Sequence, residues 1–433
     1  MSVFRVAFFA LFAGVTLHSG LSRAVDYSIS DLGAVGDSYS DAFGINASGQ
    51  VVGIVDGHAF LYSGGVRHDL GTLSGGSYSL AEAVNDNGYV VGLGYVDEVH
   101  PHAFLYTGGA LQDLGTFGGQ VSVAAGINAS GQVVGYANTT AGVQHAFRYS
   151  GGTMHDLTPA GPASSASGIN SSGQIVGTYY DNTDNIYRAC IFTGGTVADL
   201  GVTDQLGGAS GANAINAFGQ IVGSVDTSPT QHHAFLYDGG TITDLGTLGG
   251  NASEPLGINI LEQVVGWAYT ASAAQHAFRY SGGAMTDIND LVNPASGWLL
   301  REARGINDLG QIVGRGIING QEHAFLLNPV VPGDANGDGI VNSQDIAEVA
   351  THWLAEGQKL LGDVNNDNRV NGQDIALIAG NWLKTFGGGA GTSTAVPEPS
   401  SGLLAACGAA GLLAWRWRHR QPRDSICGIR FKG

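Results

Sequence analysis

Residues 123–157 read VAAGINASGQVVGYANTTAGVQHAFRYSGGTMHDL, and this stretch decides the fold. It divides into four runs, VAAGIN, QVVGYA, HAFRY and TMHDL, separated by ASG, a polar loop and SGG. Alternating apolar residues bounded by Gly, Asn and Ser mark short strands joined in hairpins. No helical period persists long enough to compete.

The same four runs recur along the chain. The Asn of the GIN-like triplet falls at Asn46, Asn85, Asn128, Asn170, Asn216, Asn259 and Asn307, in steps mostly of 42 to 48 residues. His-Ala-Phe falls at His58, His102, His145, His233, His276 and His323, with Arg188 in the fourth place. DLG-like triplets begin at Asp31, Asp69, Asp113, Asp156, Asp199, Asp244 and Asp287. Four strands per repeat of about 40–50 residues is the mark of a β-propeller blade.

The order of the runs supplies a second argument. DYSISDLG, beginning at Asp26, is a fourth strand without its first three, and the seventh copy stops at HAFLLNP. A closed ring, in which the N-terminal strand completes the last unit, accounts for this offset. The expectation for residues 25–330 is therefore an all-β repeat domain, a seven-bladed β-propeller, with a β-solenoid as the alternative. In each unit the GIN strand should lie innermost, where small residues permit close approach. QVVG and HAF should form the middle, and the DLG strand the outer edge. Over roughly residues 31–327 the repeats resemble the extracellular HAF repeat family, which implies export and no common activity.

The recurring histidine has two readings. Imidazoles that ligate a metal must converge within about 2.1 Å of one ion, and copies in different units cannot do so. The expected role is a hydrogen bond within each unit, to the Asp of DLG, and Arg188 preserves a donor there. The segments between QVVG and HAF vary most. They read as loops, and they carry Tyr95, Tyr136, Tyr179, Tyr180, Trp267 and Tyr269 among amides and hydroxyls. Aromatic faces beside such groups suit the stacking of sugars, and the alternative is packing between units.

Catalysis needs unique titratable residues. Glutamates are scarce in the repeats: Glu82, Glu98, Glu254, Glu262, Glu302 and Glu322. G-x-S-x-G, H-E-x-x-H and P-loop motifs are absent. A non-catalytic binding module is the expectation, with no catalytic residue assigned. The alternative is a glycan-active enzyme delivered by its C-terminal module. The net charge of −18 excludes electrostatic binding to nucleic-acid backbone. Cys190, Cys407 and Cys427 are too few for a disulfide framework.

Residues 1–24, MSVFRVAFFALFAGVTLHSGLSRA, have the basic start, apolar run and small-residue end of a secretory signal peptide. After Gly333 the composition changes. Residues 334–345 read DANGDGIVNSQD and residues 363–374 read DVNNDNRVNGQD. Oxygen ligands at positions one, three, five, seven, nine and twelve of such a loop wrap one Ca²⁺. They are Asp334, Asn336, Asp338, the Ile340 carbonyl, Asn342 and Asp345 in the first loop. In the second they are Asp363, Asn365, Asp367, the Arg369 carbonyl, Asn371 and Asp374. Each loop leads into an amphipathic segment, IAEVATHWL or IALIAGNWL.

This pair resembles a type I dockerin over residues 333–384. The resemblance implies a small α-helical domain, two calcium ions and a cohesin-like partner contacted at Ser343, Gln344, Gly372 and Gln373. A Gly/Ser/Thr linker, 385–395, then leads to Val396, Pro397, Glu398 and Pro399, a short apolar segment and a basic cluster. Residues 396–423 resemble the PEP-CTERM sorting signal, which implies transient membrane insertion and processing by an exosortase-type protease. The role of the tail 424–433 is open. The whole reads as an exported protein of the surface, outer envelope or extracellular matrix of a Gram-negative-type bacterium, associated with extracellular polysaccharide.

Overall fold

The computed structural model describes residues 27–33, 38–330, 333–334, 341, 343–352, 364, 370 and 372–381. The signal peptide, the linker 385–395, the sorting signal with its apolar segment and the tail lie outside the described residues. Among the described residues no helix is long and apolar enough to cross a membrane.

The chain is nearly all β, in small antiparallel sheets numbered here in chain order. Sheet 1 pairs Ser40–Ile45, Val51–Val55, His58–Ser63 and Val66–Asp69 in that sequence. Sheets 2 to 6 repeat the pattern over 79–113, 118–156, 164–199, 210–246 and 249–287. One parallel bridge, His232 to Ala252, joins sheets 5 and 6. Sheet 7 pairs Leu299–Ile306, Ile312–Ile318 and Gln321–Pro329, and its outer strand is Tyr27–Asp31 from the other end of the chain. Ile29 lies opposite Leu327, so the two ends are stitched by a ladder as the offset of the repeats requires.

First strands pack against first strands from each sheet to the next, and sheet 7 packs back on sheet 1. An innermost strand has one edge without a ladder partner, so its polar groups need another solution. The asparagine provides it. Asn46 donates from Nδ2 to the Asn85 carbonyl at 2.9 Å, and Asn85 donates likewise to Asn128 at 2.9 Å. The series continues through Asn170, Asn216, Asn259 and Asn307, and Asn307 returns to the Asn46 carbonyl at 3.0 Å. Each Oδ1 accepts amides of its own hairpin turn, as Asn128 does from Ser130 and Gln132. The cycle of hydrogen bonds is closed.

The remaining motif letters each meet one packing demand. A bulge between Ala124 and Gly126 presses the first strand of sheet 3 onto the second. A Cβ at Gly135, the Gly of QVVG, would stand 1.9 Å from the Val123 carbonyl oxygen, so no larger residue fits. Phe60, Phe104, Phe147, Phe235, Phe278 and Phe325, from the HAF triplets, are all fully buried. Except at Ala277, the Ala amide of each triplet place donates to a serine on the first strand of the next sheet, as Ala103 does to Ser122 at 2.8 Å. Cys190 takes the fourth aromatic place as a buried free thiol, which burial pushes above the usual thiol range.

Among the described residues three α-helices depart from the β pattern, besides two short 3-10 turns at Ile288–Asp290 and Pro294–Ser296. α1, Val202–Leu206, lies between sheets 4 and 5 and was not evident from sequence periodicity. α2, Ser343–Thr351, and α3, Gly372–Gly380, follow the two acidic loops.

Asn170→Ala should test the ring. It removes the donor that reaches the Asn216 carbonyl from the neighbouring sheet, which keeps only the Gly219 amide, and leaves the Ser172 and Gln174 amides without the Asn170 Oδ1. A loss of roughly 2–4 kcal/mol is expected, read as a lower urea midpoint at unchanged slope. An unchanged midpoint would show the ring to be dispensable.

Candidate ligand site at the ring axis

The histidines bind the fourth strand of their own sheet. Nδ1 meets the DLG aspartate in His58–Asp69, 3.0 Å, His102–Asp113, 2.9 Å, and His145–Asp156, 2.8 Å. His233–Asp244, His276–Asp287 and His323–Asp31 repeat the contact at 2.9, 2.6 and 3.0 Å. The last pair spans the chain ends. Arg188 reaches Asp199 at 3.1 Å and also Asp181, Asp184 and Asp204. His145 and His323 are buried, whereas the His58 side chain is 43% exposed, so the clasp does not depend on burial. No cluster of His, Cys, Asp or Glu among the described residues is arranged to hold a metal ion.

The aromatic residues correct the loop assignment. Tyr95, Tyr136, Tyr179, Tyr180, Trp267 and Tyr269 stand on the second strands of sheets 2, 3, 4 and 6, which run on past QVVG. The period of two persists there: Gly135 and Ala137 are buried while Tyr136 and Asn138 are half-buried. Tyr95 packs on Tyr78 with ring centroids 5.2 Å apart, Tyr180 on Tyr187 at 5.1 Å, and Trp267 on Tyr269 at 5.5 Å. The Tyr179 hydroxyl donates to Asp199 at 3.3 Å. The six do not form one platform.

The asymmetric chemistry lies on the innermost strands. Three residues before each ring asparagine stand Phe43, Glu82, Ala125, Ser167, Asn213, Leu256 and Arg304, all half-buried. Five residues before it, sheets 1, 6 and 7 carry Asp41, Glu254 and Glu302. Arg304 lies over the Phe43 ring at 4.4 Å, and its Nη2 meets Asp41 at 2.9 Å and Glu302 at 2.7 Å. Arg315 binds Glu302 at 2.5 Å and Glu322 at 3.1 Å, and Arg301 lies 3.6 Å from Glu322. Gln275 donates to Glu302 at 2.9 Å.

Burial governs the protonation of this cluster. It pushes the fully buried Asp41 carboxyl up to about 6, against the opposing charge and hydrogen bond of Arg304. On Glu302 burial again acts upward. There the Arg315 hydrogen bond and the Arg304 and Arg315 charges outweigh it and hold the carboxyl below its usual value. Glu82 is partly reachable by water, yet burial drives its carboxyl up to about 7. Both hold for a carboxyl that water reaches while protein surrounds most of it. The Tyr136 and Tyr78 hydroxyls, themselves raised chiefly by burial, also feel the charge of Glu82. One arc of the axis, from sheet 7 to sheet 3, thus gathers charge and tyrosine.

A second polar network lies on sheets 5 and 6. His232 bridges Asp226 at 2.8 Å and Glu254 at 2.7 Å, and Glu254 also accepts from Asn213 and Ser224. Repeat comparison could have revealed these residues. They occupy columns where every other structural position repeats and these do not.

In the acidic loops, Asp345 and Asp374 are fully buried at the starts of α2 and α3. Asp374 accepts the Val364 amide at 3.0 Å. Val341, Val349, Val370 and Ile378 are fully buried as well. The donor set of both loops is all oxygen, which fits calcium. Asp334 is described; Asn336, Asp338, Ile340, Asn342, Asp363, Asn365, Asp367, Arg369 and Asn371 lie outside the described residues. Ser343, Gln344 and Gln373 are exposed on the first turns of the helices, and Gly372 begins α3. Val396, Pro397, Glu398 and Pro399 lie outside the described residues.

The chain matches the dockerin type I domain over residues 332–383 and the PEP-CTERM protein-sorting motif over residues 395–420. It also matches a family described as protein of unknown function (DUF3466) over residues 154–352, from the last strand of sheet 3 into the dockerin. Together the first two matches indicate an exported, envelope-associated protein with a dockerin interaction module, a kind of domain that generally binds calcium. No curated protein matches the chain.

Solved structures similar to it include TolB from Acinetobacter baumannii, 11% identical at a TM-score of 0.34. The alignment covers 68% of this chain and 65% of that one. The extracellular domain of a putative one-component system from B. thetaiotaomicron is 10% identical at 0.43, with 70% and 40% covered. A gluconolactonase from Xanthomonas campestris is 11% identical at 0.36, with 72% and 93% covered. The chain thus spans less than two thirds of the length of the first two.

His232 should make stability depend on pH. The Glu254 hydrogen bond, reinforced by that of Asp226, pushes the imidazole from 6.5 up to about 9 against the cost of burial. Its stabilising contribution is complete below about pH 6.5 and is lost as pH rises through about 9. Melting temperature should fall across that window in the parent and fall less in His232→Gln. A parallel decline in both proteins would contradict the assignment.

Proposed function

We propose that residues 25–330 form a seven-bladed β-propeller of HAF repeats that acts as a non-catalytic, polysaccharide-associated binding module at the cell surface. The closed asparagine cycle and the shared sheet of the chain ends support the propeller over the solenoid, which needs neither. The observation that carries the binding role is the break in symmetry at the axis. The position three residues before the ring asparagine holds Ala125 and Ser167 on sheets 3 and 4 but Arg304, Phe43 and Glu82 on sheets 7, 1 and 2. A scaffold that needed only stability would gain nothing from enclosing charge there. Sugars suit such a mouth, since tyrosine rings and paired charges offer stacking and hydrogen bonds together.

In this reading the dockerin holds two calcium ions and docks on a cohesin-like partner, and an exosortase-type protease processes the C-terminal signal. Asp334, Asn336, Asp338, the Ile340 carbonyl, Asn342 and Asp345 would hold one ion. Asp363, Asn365, Asp367, the Arg369 carbonyl, Asn371 and Asp374 would hold the other. Calcium would supply charge compensation to buried carboxylates and so fold the loops.

A second reading, a glycan-active enzyme, is favoured by one observation. Asp41 and Glu82 are displaced to about 6 and about 7 in one electrostatically coupled cluster, a pattern that acid–base catalysis uses. A polysaccharide panel separates the two. The binding module should retain glycans without shortening them, and release of reducing ends lost in Asp41→Asn would establish the enzyme.

Calcium can be tested independently. EGTA should abolish helical circular dichroism from the dockerin and capture by a cohesin, while the β signal and its melting persist. Simultaneous loss of the β signal would contradict a separately folding module.

A further inference from the structure

We propose that the turns at one end of the ring, on sheets 5 to 7, form an apolar docking surface for this chain's own C-terminal segment 403–423, held there whenever the segment is outside a bilayer. The inference is independent of what the axis binds. It starts from a second break in the repetition. The residue two places after the ring asparagine is Ser48, Asn87, Ser130 or Ser172 on sheets 1 to 4 but Phe218, Leu261 and Leu309 on sheets 5 to 7. Its amide donates to the asparagine Oδ1, at 3.0 Å for Phe218 and Leu261 and 3.1 Å for Leu309, which pins the turn and leaves the side chain at the surface. Phe218 is 74% exposed, and Ile260, Leu261, Leu309 and Val330 are exposed as well. These five are half of the large apolar side chains exposed among the described residues.

Hydrogen bonds join them into one patch. Gln220, two residues after Phe218, donates to Glu262 at 2.7 Å, and the Ile260 amide donates to Asp308 at 3.1 Å. Gln311 donates to Asn328 at 2.7 Å, two residues before Val330. A contiguous apolar patch among polar turns marks an interaction surface.

Charge selects the occupant. Asp238, Glu262 and Asp308 are exposed at the patch, and the turns at this end of the ring contain no lysine or arginine. An anionic bilayer would be repelled there, and a second copy would set acid against acid. The fitting partner joins apolar side chains to positive charge. Residues 403–423, LLAACGAAGLLAWRWRHRQPR, do so, with an apolar run to Trp417 and Arg416, Arg418, Arg420 and Arg423 at its end.

The tether permits the contact. Tyr27 pairs with Pro329, so the ladder that closes the ring ends here, and the chain leaves from Val330 within the patch. Residues 385–402, between the dockerin and the apolar run, can span up to about 60 Å. A segment on such a tether is present at about millimolar effective concentration and needs only weak affinity. A bilayer surrounds the whole run, whereas the patch covers one side of it, so membrane insertion releases the contact.

Disulfide trapping in the full chain tests the docking, because Cys407 lies in the segment and Cys190 is buried. In a Cys427→Ser background, Phe218→Cys and Leu309→Cys should each bond to Cys407 of the same chain under a mild oxidant. The rate should exceed that of Ser48→Cys, on the polar side of the ring, by at least about tenfold. Equal rates at the three positions overturn the docking. Disulfides that join two copies through the introduced cysteines overturn it in favour of a dimer. A second measurement separates the segment from the membrane as occupant. Phe218→Ser combined with Leu261→Ser and Leu309→Ser installs the residue that sheets 1, 3 and 4 carry, so the melting temperature should hold. The combined variant should bind phosphatidylcholine vesicles at least about threefold more tightly than the parent, because its segment is no longer held back. Unchanged or weaker vesicle binding overturns the proposal, and weaker binding makes the patch itself a membrane contact.

Discussion

Everything in the repeat domain hangs on the way the innermost strands satisfy their free edge. A strand at the inner rim has ladder partners on one side only, and its other carbonyls face a neighbouring sheet rather than a neighbouring strand. The side chain of Asn46, and of its six counterparts, crosses that gap and also closes its own hairpin turn. One amide group thereby fixes the turn, the spacing of adjacent sheets and the direction of the next strand. Because Asn307 returns to Asn46, the constraint has no end, and an error in one sheet cannot be relaxed at a rim.

The HAF triplet serves the same geometry further out. Its histidine ties the third strand to the fourth, its alanine amide ties one sheet to a serine of the next, and its phenylalanine fills the space between sheets. Sheet 4 separates these duties. Arg188 replaces the imidazole yet still meets Asp199, so the position requires a donor to that aspartate rather than a histidine as such. The longer arginine also gathers Asp181, Asp184 and Asp204, which a histidine could not span.

Once the scaffold is accounted for by repetition, chemistry is found where repetition fails. The column three residues before the ring asparagine tolerates phenylalanine, glutamate, alanine, serine, asparagine, leucine and arginine because it faces the axis. Its neighbours on either side are glycine or alanine, with Pro255 the one exception. The aromatic residues illustrate the opposite error. Tyr136 and Tyr95 read as loop residues amid polar sequence, but small buried residues alternate with them and carry the strand onward. Sequence hydrophobicity misses a strand whose inward face is glycine and alanine.

Repetition within the chain was enough to determine the four-strand unit, its seven copies, the completion of the last sheet by the first strand and the pairing of His with Asp. Those features are local or periodic: eleven residues separate His58 from Asp69, and each unit repeats the spacing. The dockerin was legible for the same reason, since each of its acidic motifs lies within twelve consecutive residues. The axial cluster was not. Asp41 and Arg304 are 263 residues apart, and no spacing rule connects them. Only closure of the ring brings sheet 7 beside sheet 1 and sets Arg304 against both Asp41 and Glu302. Burial and charge balance are properties of neighbours in space, and so the tertiary structure alone decided them.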